Sequence, residues 1–187
     1  PTRYRSSAAS DVYKRQLGIK SVTIRTRQAL SGAGWKLLFD AEALSGNVNP
    51  FIPQEEEKLI AELKYLLGID VPVIASCNRL SERDGHFVSV GVELSRETTV
   101  EEVEELMKIP TLGLPSSPKL VNEIIDDSPT RQEYLWNGRG MTTTVGNIRV
   151  EGNIVRYDAL SHNTVRGAAG GVILLAEFAV QESYITK

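Results

Sequence analysis

The sequence predicts an α+β fold: a mixed, largely antiparallel sheet with helices packed on one face. Five segments are typical of strands, at residues 19–28, 71–77, 87–94, 143–150 and 154–160. Three others are typical of helices, at residues 53–67, 100–107 and 163–182. Strands and helices that do not alternate regularly along a chain favour this fold class over a parallel α/β sheet.

Length and composition indicate one domain and exclude several function classes. The chain has 187 residues, a net charge of −3 and 41% hydrophobic residues, which suit a packed core and show no bias toward nucleic acid. No apolar run is long enough to cross a membrane. One cysteine and two histidines give neither a disulfide framework nor a zinc-type spacing. We therefore expect a cytoplasmic protein that binds no metal, nucleic acid or membrane.

The first sixteen residues, Pro1–Gln16, differ from the rest of the chain. They carry basic residues among serines and show no apolar period. A transit peptide has this composition, but the run from Ser7 to Gln16 also resembles translated sequencing-adapter DNA. We favour the second interpretation. Residues 1–16 are then a foreign, disordered segment before a single domain at residues 17–187.

The first strand runs into a turn of small residues. Residues 19–28 alternate and end at Gln28, and Ser31 and Gly32 lie in the turn Ser-Gly-Ala-Gly that follows. Small residues let a backbone approach a ligand closely, although a flexible loop is the simpler interpretation of this turn alone. Residues 35–52 are predicted to be irregular.

The first helix is predicted to begin at Pro53 and to end at Gly68. Its apolar residues recur at helical spacing, and the acidic residues 55–57 suit the positive end of the helix dipole. That charged run is most often a solvated first turn.

A predicted hairpin follows this helix. Asp84 and Gly85 form a strong turn signal between the strands at residues 71–77 and 87–94. If these strands pair, Arg79 and His86 face each other near the turn. A guanidinium holds a carboxylate bidentately and an imidazole moves protons near neutral pH, so the pair is a candidate site. On this stretch alone, a solvated surface hairpin is the stronger interpretation.

The second half is predicted from capping and turn signals. Thr99 and Glu102 form a capping box before the helix at residues 100–107. Residues 120–125 are a short apolar run, and residues 128–140 a polar loop. The last helix opens with several glycines, a cost of about 1 kcal/mol for each interior Gly relative to Ala. Either another backbone or a flat ligand comes close there.

Taken together, these pieces resemble the C-terminal half of aspartate-semialdehyde dehydrogenases of the archaeal and fungal type. The resemblance runs from about Leu17 to the end of the chain. It rests on six motifs in order: TRQALSGAG (26–34), EEEK (55–58), CNR (77–79), DGH (84–86), LGLPS (112–116) and SHNTVRGAAGG (161–171). The implied fold is that of the C-terminal domain of glyceraldehyde-3-phosphate dehydrogenase.

The resemblance implies an activity and a set of residues. The family interconverts L-aspartate 4-semialdehyde plus phosphate and L-4-aspartyl phosphate with NADP, in lysine, threonine and methionine biosynthesis. Gln28 would orient the acyl group, Arg79 would bind the substrate carboxylate, and His86 would be the general acid and base. Glu56 and Lys58 would reach the substrate amino group and the phosphate. Residues two apart on a regular helix point roughly 200° apart, so this last pair requires an irregular helix.

The resemblance also places the cofactor and identifies what is missing. Asn163, with Ser31, Gly32 and Gly167, would contact the nicotinamide, while most of NADP would bind an N-terminal domain that this sequence lacks. The family's nucleophilic cysteine lies upstream of Gln28. Cys77 matches a different cysteine, best interpreted as a small buried hydrophobic residue. We therefore expect a fragment that is inactive alone.

The implied partners are a second subunit and the missing domain. The sheet face opposite the helices would form a homodimer, with a tetramer as a further assembly. The helix at residues 163–182 would pack on the nucleotide-binding domain. Two alternatives remain open: a paralogue that reduces malonyl-CoA or succinyl-CoA, and a non-catalytic dimerisation module.

Overall fold

The computed structural model describes residues 17–46 and 51–185. The predicted foreign segment at residues 1–16 lies outside the described residues. Within the described residues, six strands form one sheet: β1 (Ile19–Gln28), β2 (Val73–Arg79), β3 (His86–Leu94), β4 (Asn122–Ile124), β5 (Thr143–Glu151) and β6 (Ile154–Ser161).

The helices of the described residues differ widely in length. They are α1 (Trp35–Leu38), α2 (Ala41–Leu44), α3 (Glu55–Leu67), α4 (Val100–Met107), α5 (Arg131–Tyr134) and α6 (Gly170–Gln181). A π-helical turn at Val165–Ala169 leads directly into α6. No helix among residues 17–46 and 51–185 has the length and apolar character needed to cross a membrane.

The strand order is β2-β1-β3-β6-β5-β4. The pairs β1–β2 and β4–β5 are parallel, whereas β1–β3, β3–β6 and β5–β6 are antiparallel. This confirms the predicted mixed, largely antiparallel sheet. It also places β3, with its alternating valines, inside the sheet, as its apolar face requires.

The predicted hairpin between β2 and β3 is wrong, because β1 lies between them. β1 buries Val22, Ile24 and Thr26 on its core face, so a central position removes more apolar surface from water than an edge position would. The long connection through α3 allows β2 to return parallel to β1. The predicted faces of the two strands are nevertheless correct, since pairing conserves side-chain parity.

The core lies between α4 and the central strands. Its fully buried members come from the start of β1, from β3, α4, β5 and β6: Leu17, Leu94, Val103, Met107, Val145 and Val155. The predicted N-cap of α4 is confirmed, since the Thr99 side chain accepts from the Glu102 backbone N–H at 3.2 Å. The Glu102 carboxylate accepts the Thr98 hydroxyl at 2.7 Å, which differs from the reciprocal bond of a capping box. α3 packs separately against β2.

Several boundaries differ from the sequence prediction. α3 begins at Glu55 rather than Pro53, because Gln54 takes a left-handed conformation with φ 64° before it. Residues 35–46 are not irregular: they form α1 and α2, and Asp40 caps α2 by accepting from the Ala43 N–H at 2.8 Å. Residues 47–50 of the same predicted loop lie outside the described residues. The predicted polar loop at 128–140 contains α5 and a 3-10 turn.

Gly167, before α6, and Gly170, its first residue, lie in different surroundings. A side chain at Gly170 would collide with the sulfur of Met141, so close packing accounts for that position. At Gly167 a Cβ would meet nothing within 4 Å, and the residue is exposed. Close packing therefore explains Gly170, and Gly167 keeps an open surface.

Candidate functional site

Three predicted site residues lie side by side at one end of the sheet. Gln28 at the end of β1 pairs with Arg79 on β2 and with His86 on β3, and His86 pairs with Ser161 on β6. Paired residues on neighbouring strands point to the same face at a spacing of roughly 4.5–5.5 Å. We call Arg79, Gln28 and His86 the site row. Gln28 lies between Arg79 and His86, on the strand that separates them.

The Arg79 side chain is held against the turn that follows β1. Its Nη1 donates a hydrogen bond to the Ala29 carbonyl at 2.8 Å. A Cβ at Gly32 would lie 3.2 Å from the same Nη1, so Gly32 leaves room for the guanidinium. Burial lowers the pKa of Arg79, and the charge of Glu55 opposes that shift. Gly32 thus has a reason to be small that involves Arg79 rather than a ligand.

His86 is half-buried, and its surroundings favour the neutral imidazole. Burial is the main cause that lowers its pKa, and the positive charge of Arg79 acts in the same direction. The carboxylate of Glu55 opposes both. A neutral imidazole accepts a proton readily, which suits a general base at neutral pH.

The Gln28 side chain stands between the Arg79 guanidinium and the His86 imidazole. Its Nε2 donates to the Thr26 hydroxyl at 3.3 Å, and Thr26 is 1% exposed. The Thr26 hydroxyl therefore anchors the amide to the buried part of the same face. A fixed amide dipole between a guanidinium and an imidazole can orient a carbonyl group.

Glu55, for which the sequence predicts no role, acts through its charge on two members of the site row. The Glu56 carboxylate accepts the backbone N–H of Cys77 at 3.0 Å, at the free edge of β2. The charge of Glu55 acts on Arg79 and His86, and both Glu56 and Glu55 act on Cys77. Lys58 lies 3.9 Å from Glu55, with a 60% exposed side chain. The three-residue spacing of Glu55 and Lys58 was the available signal, because such residues share a helix face.

Cys77 is a buried core residue, as predicted. It is 1% exposed, and burial raises the pKa of its thiol despite a hydrogen bond with Thr26. A buried thiol with a raised pKa is a poor nucleophile.

Asn163 joins the turn after β1 to the turn before β3. Its Oδ1 accepts the Gly85 backbone N–H at 2.8 Å, and its Nδ2 donates to the Ser31 hydroxyl at 2.8 Å. An amide oxygen accepts two hydrogen bonds and an amide nitrogen donates two, so each group keeps capacity for one more. Of the four predicted cofactor residues, Asn163 and Ser31 bond each other, and Gly167 is the most open.

The sequence matches the family described as semialdehyde dehydrogenase, dimerisation domain, over residues 12–166. The chain belongs to this family.

Relatives in the family support the assignment. An aspartate-semialdehyde dehydrogenase from Archaeoglobus fulgidus is 41% identical over 183 residues, covering 90% of this chain and 53% of that protein. A malonyl CoA reductase (NADP) from Metallosphaera sedula is 30% identical over 189 residues, covering 90% of this chain and 53% of that protein. The chain thus spans about half the length of these curated relatives.

A solved structure of the family has the same fold. The aspartate semialdehyde dehydrogenase with NADP from Candida albicans aligns with a TM-score of 0.74 at 30% identity. The match covers 95% of this chain and 55% of that chain. It confirms the expected C-terminal-domain fold.

Proposed function

We propose that this chain is the catalytic and dimerisation portion of an aspartate-semialdehyde dehydrogenase. The full enzyme interconverts L-aspartate 4-semialdehyde plus phosphate and L-4-aspartyl phosphate with NADP. The observation that carries the proposal is the site row, in which Gln28 pairs with both Arg79 and His86. Membership of the family and the name of the Archaeoglobus relative support it.

In the proposed site, charged groups recognise the α-carboxylate and the ammonium group of the substrate. The Arg79 guanidinium binds the α-carboxylate, since its planar fork matches carboxylate geometry. Glu55 supplies negative charge beside Arg79 and His86, which suits the substrate ammonium group better than the position of Glu56 does. Lys58, on the same helix face, is exposed beside Glu55 and reaches outward to phosphate.

The proposed reaction proceeds through a thioester. A thiolate adds to the aldehyde carbon, a hydride leaves that carbon for NADP to give a thioester, and phosphate then displaces the thiolate to give the acyl phosphate. His86 takes the proton of the thiol as a base, which its lowered pKa permits. Gln28 orients the acyl group between Arg79 and His86.

The nucleophile of this reaction comes from another part of the full-length enzyme. Cys77 is the one cysteine of the sequence, and its burial and raised pKa argue against that role. We therefore expect the purified 187-residue chain to show no turnover of aspartate semialdehyde. Measurable activity of the chain alone would contradict this.

The nicotinamide end of NADP fits beside Asn163 and Gly167. Asn163 retains one acceptor and one donor capacity, and Gly167 has open space around it. NADP, when bound, accepts the hydride from the substrate carbon. Ser31 acts through its hydrogen bond to Asn163, and Gly32 acts by leaving room for Arg79.

The sheet face opposite the site row is the proposed homodimer surface. A groove of about 530 Å³ lies there, with Arg25, Ser89 and Arg156 among its lining residues. These residues point away from the site row, because they stand an odd number of positions from its members. The family description as a dimerisation domain supports a second copy as the partner.

The test uses the full-length protein that contains this chain. We expect reduction of NADP with aspartate semialdehyde and phosphate. Arg79→Lys keeps the charge but loses the planar fork, so KM for the semialdehyde should rise on the order of 10-fold or more. Arg139→Lys, at an exposed position, is the matched control. Turnover that is unchanged by Arg79→Lys would favour a non-catalytic dimerisation module instead.

The Metallosphaera relative supports a second candidate function, the reduction of a CoA thioester. The same thioester chemistry applies, with CoA in place of phosphate. Phosphate-dependent turnover that weakens in Lys58→Ala would favour the semialdehyde dehydrogenase. Turnover of malonyl-CoA without any phosphate requirement would favour the reductase.

A further inference from the structure

The turn before β3 connects most of the groups assigned to the site. We call residues 82–85, in the turn between β2 and β3, the hairpin tip, although β1 separates these two strands in the sheet. Its carbonyls accept three backbone N–H groups of the turn after β1: Ala29 donates to Gly85 at 3.1 Å, Leu30 to Glu82 at 2.8 Å and Ser31 to Arg83 at 3.0 Å. The hairpin tip thus fixes the segment that follows Gln28.

The hairpin tip also reaches the remaining site elements. The Gly85 N–H donates to Asn163, and the Asp84 carboxylate accepts the Thr164 hydroxyl at 3.4 Å. Gly85 is the residue directly before His86. A displacement of the hairpin tip would therefore move His86 and Asn163 together.

Arg131 of α5 holds the hairpin tip. Its Nε donates to the Asp84 carbonyl at 2.5 Å, and its Nη1 forms an ion pair with the Glu82 carboxylate. Gly85 has φ +116°, and a Cβ there would lie 3.1 Å from the Arg131 Nε and 3.3 Å from Leu135. The guanidinium packs so closely on Gly85 that its position and that of the backbone are coupled.

We propose that Arg131 is a positioning residue that fixes the hairpin tip and, through it, places His86 and Asn163. The inference rests on the proposed function for what His86 and Asn163 do there. Arg131 donates to Glu82 and Asp84, and its segment α5 contributes no member of the site row. An arginine suits this task because its rigid fork donates in two directions at once, which a lysine cannot do.

The two histidines of the full 187-residue chain provide the readout. Their imidazoles and the Gly85 amide can be followed by NMR in chains carrying Arg131→Gln and Arg131→Lys. The charges that shift the pKa of His86 belong to Glu55 and Arg79, so a change at Arg131 reaches His86 through the hairpin tip. His162 does feel the Arg131 charge, which lowers its pKa.

In Arg131→Gln we expect the pKa of His86 to rise toward its ordinary value, because the hairpin tip loosens and His86 gains water. The Gly85 amide should exchange about tenfold faster or more, since hydrogen bonds from a charged donor are lost. Arg131→Lys should show the same changes in smaller measure, while the pKa of His162 stays near that of the unsubstituted chain. Arg139→Gln, an exposed control with the same loss of charge, should change neither His86 nor Gly85.

The proposal is overturned if His86 and Gly85 are unchanged in either folded Arg131 variant. If Arg131→Gln does not fold, Arg131→Lys decides. A purely stabilising role would lower the melting temperature without moving the His86 titration at a temperature where the chain stays folded. Because the readout needs no turnover, failure of the proposed activity and failure of this positioning role give different results.

Discussion

Within the described residues, the hairpin tip and α6 differ in how they are hydrogen-bonded to other segments. The hairpin tip bonds through backbone and side chains to the turn after β1, to α5 and to the segment after β6. α6 is attached to the loop at residues 112–117 by one carboxylate: Glu177 accepts the Ser116 N–H at 2.9 Å and its hydroxyl at 2.7 Å. Much of its apolar surface is exposed, including Val172 at 66% and Leu175 at 58%.

The difference distinguishes the site end, which is held by bonds within the chain, from α6, whose apolar surface is exposed. The side chains of Arg79, Gln28 and Asn163 are hydrogen-bonded within the chain, so local geometry holds these groups at the site end. A helix that is apolar on several sides is typical of a buried position. The exposed surface of α6 therefore supports our proposal that this helix packs on a nucleotide-binding domain in the full-length enzyme.

The largest contrast should appear when one leucine is truncated in each region. Leu30, in the turn bound to the hairpin tip, is 0% exposed, so Leu30→Ala should lower the free energy of unfolding by about 2–5 kcal/mol. Leu175→Ala, in α6, should change it by no more than about 0.5 kcal/mol. Urea unfolding of both variants measures the contrast. Equal losses would mean that α6 is buried in solution.

A glycine substitution sharpens the comparison at the backbone level. Gly85→Ala forces a side chain into a left-handed conformation and against Arg131, so it should cost about 1–3 kcal/mol and disturb the imidazole of His86. Gly167→Ala, with nothing within 4 Å, is the control and should be neutral or slightly stabilising. Unfolding experiments and NMR check both. A Gly85→Ala chain as stable as the unsubstituted one would contradict the described geometry.

Acid should lower the free energy of unfolding through the two histidines at the site end. Burial lowers the pKa of both His86 and His162, so below about pH 6.5 the unfolded chain binds protons that the folded chain does not. The free energy of unfolding should therefore fall as the pH drops below that value. His162, 1% exposed and 4.3 Å from the Trp136 ring, contributes part of this dependence.

The variant His162→Gln isolates the contribution of one histidine. We expect a shallower fall of unfolding free energy between about pH 7.5 and about pH 5.5, as one group is removed. Denaturant unfolding at several pH values measures this. A slope that is unchanged, or one of opposite sign, would show that His162 is not buried in its neutral form.

The smallest effect on unfolding is expected on the exposed side of α6. Val172→Ser and Ile173→Ser replace exposed apolar groups, so they should leave the unfolding free energy within about 0.5 kcal/mol. They should reduce self-association of the chain at high concentration, which light scattering measures. Unchanged association would show that a surface other than this side of α6 causes the self-association.

The sequence was sufficient to predict most elements but not their order. Local alternation predicted the strands, because side-chain parity is a property of each segment alone. The insertion of β1 between β2 and β3 depends on contacts between distant segments, which periodicity cannot report. The helices α1 and α2, of four residues each, are too short to show a helical period.

The sequence predicted the proximity of Arg79 and His86, but the structural reason for it is different. Arg79 and His86 were expected to meet across a hairpin, whereas Gln28 brings them together from the intervening strand. Glu55 was missed because the motif was aligned on Glu56, and only the direction of each side chain separates them. Arg131 lies in a segment without a motif, so its contact with the hairpin tip was visible only in three dimensions.

The most direct test of the central claim is the turnover of the full-length enzyme with His86→Asn. Asparagine keeps the approximate size and polarity of the side chain but cannot exchange protons near neutral pH. If the site row is the catalytic centre, kcat should fall on the order of 10²- to 10⁴-fold, with KM for the semialdehyde little changed. A kcat equal to that of the unsubstituted enzyme would contradict the account.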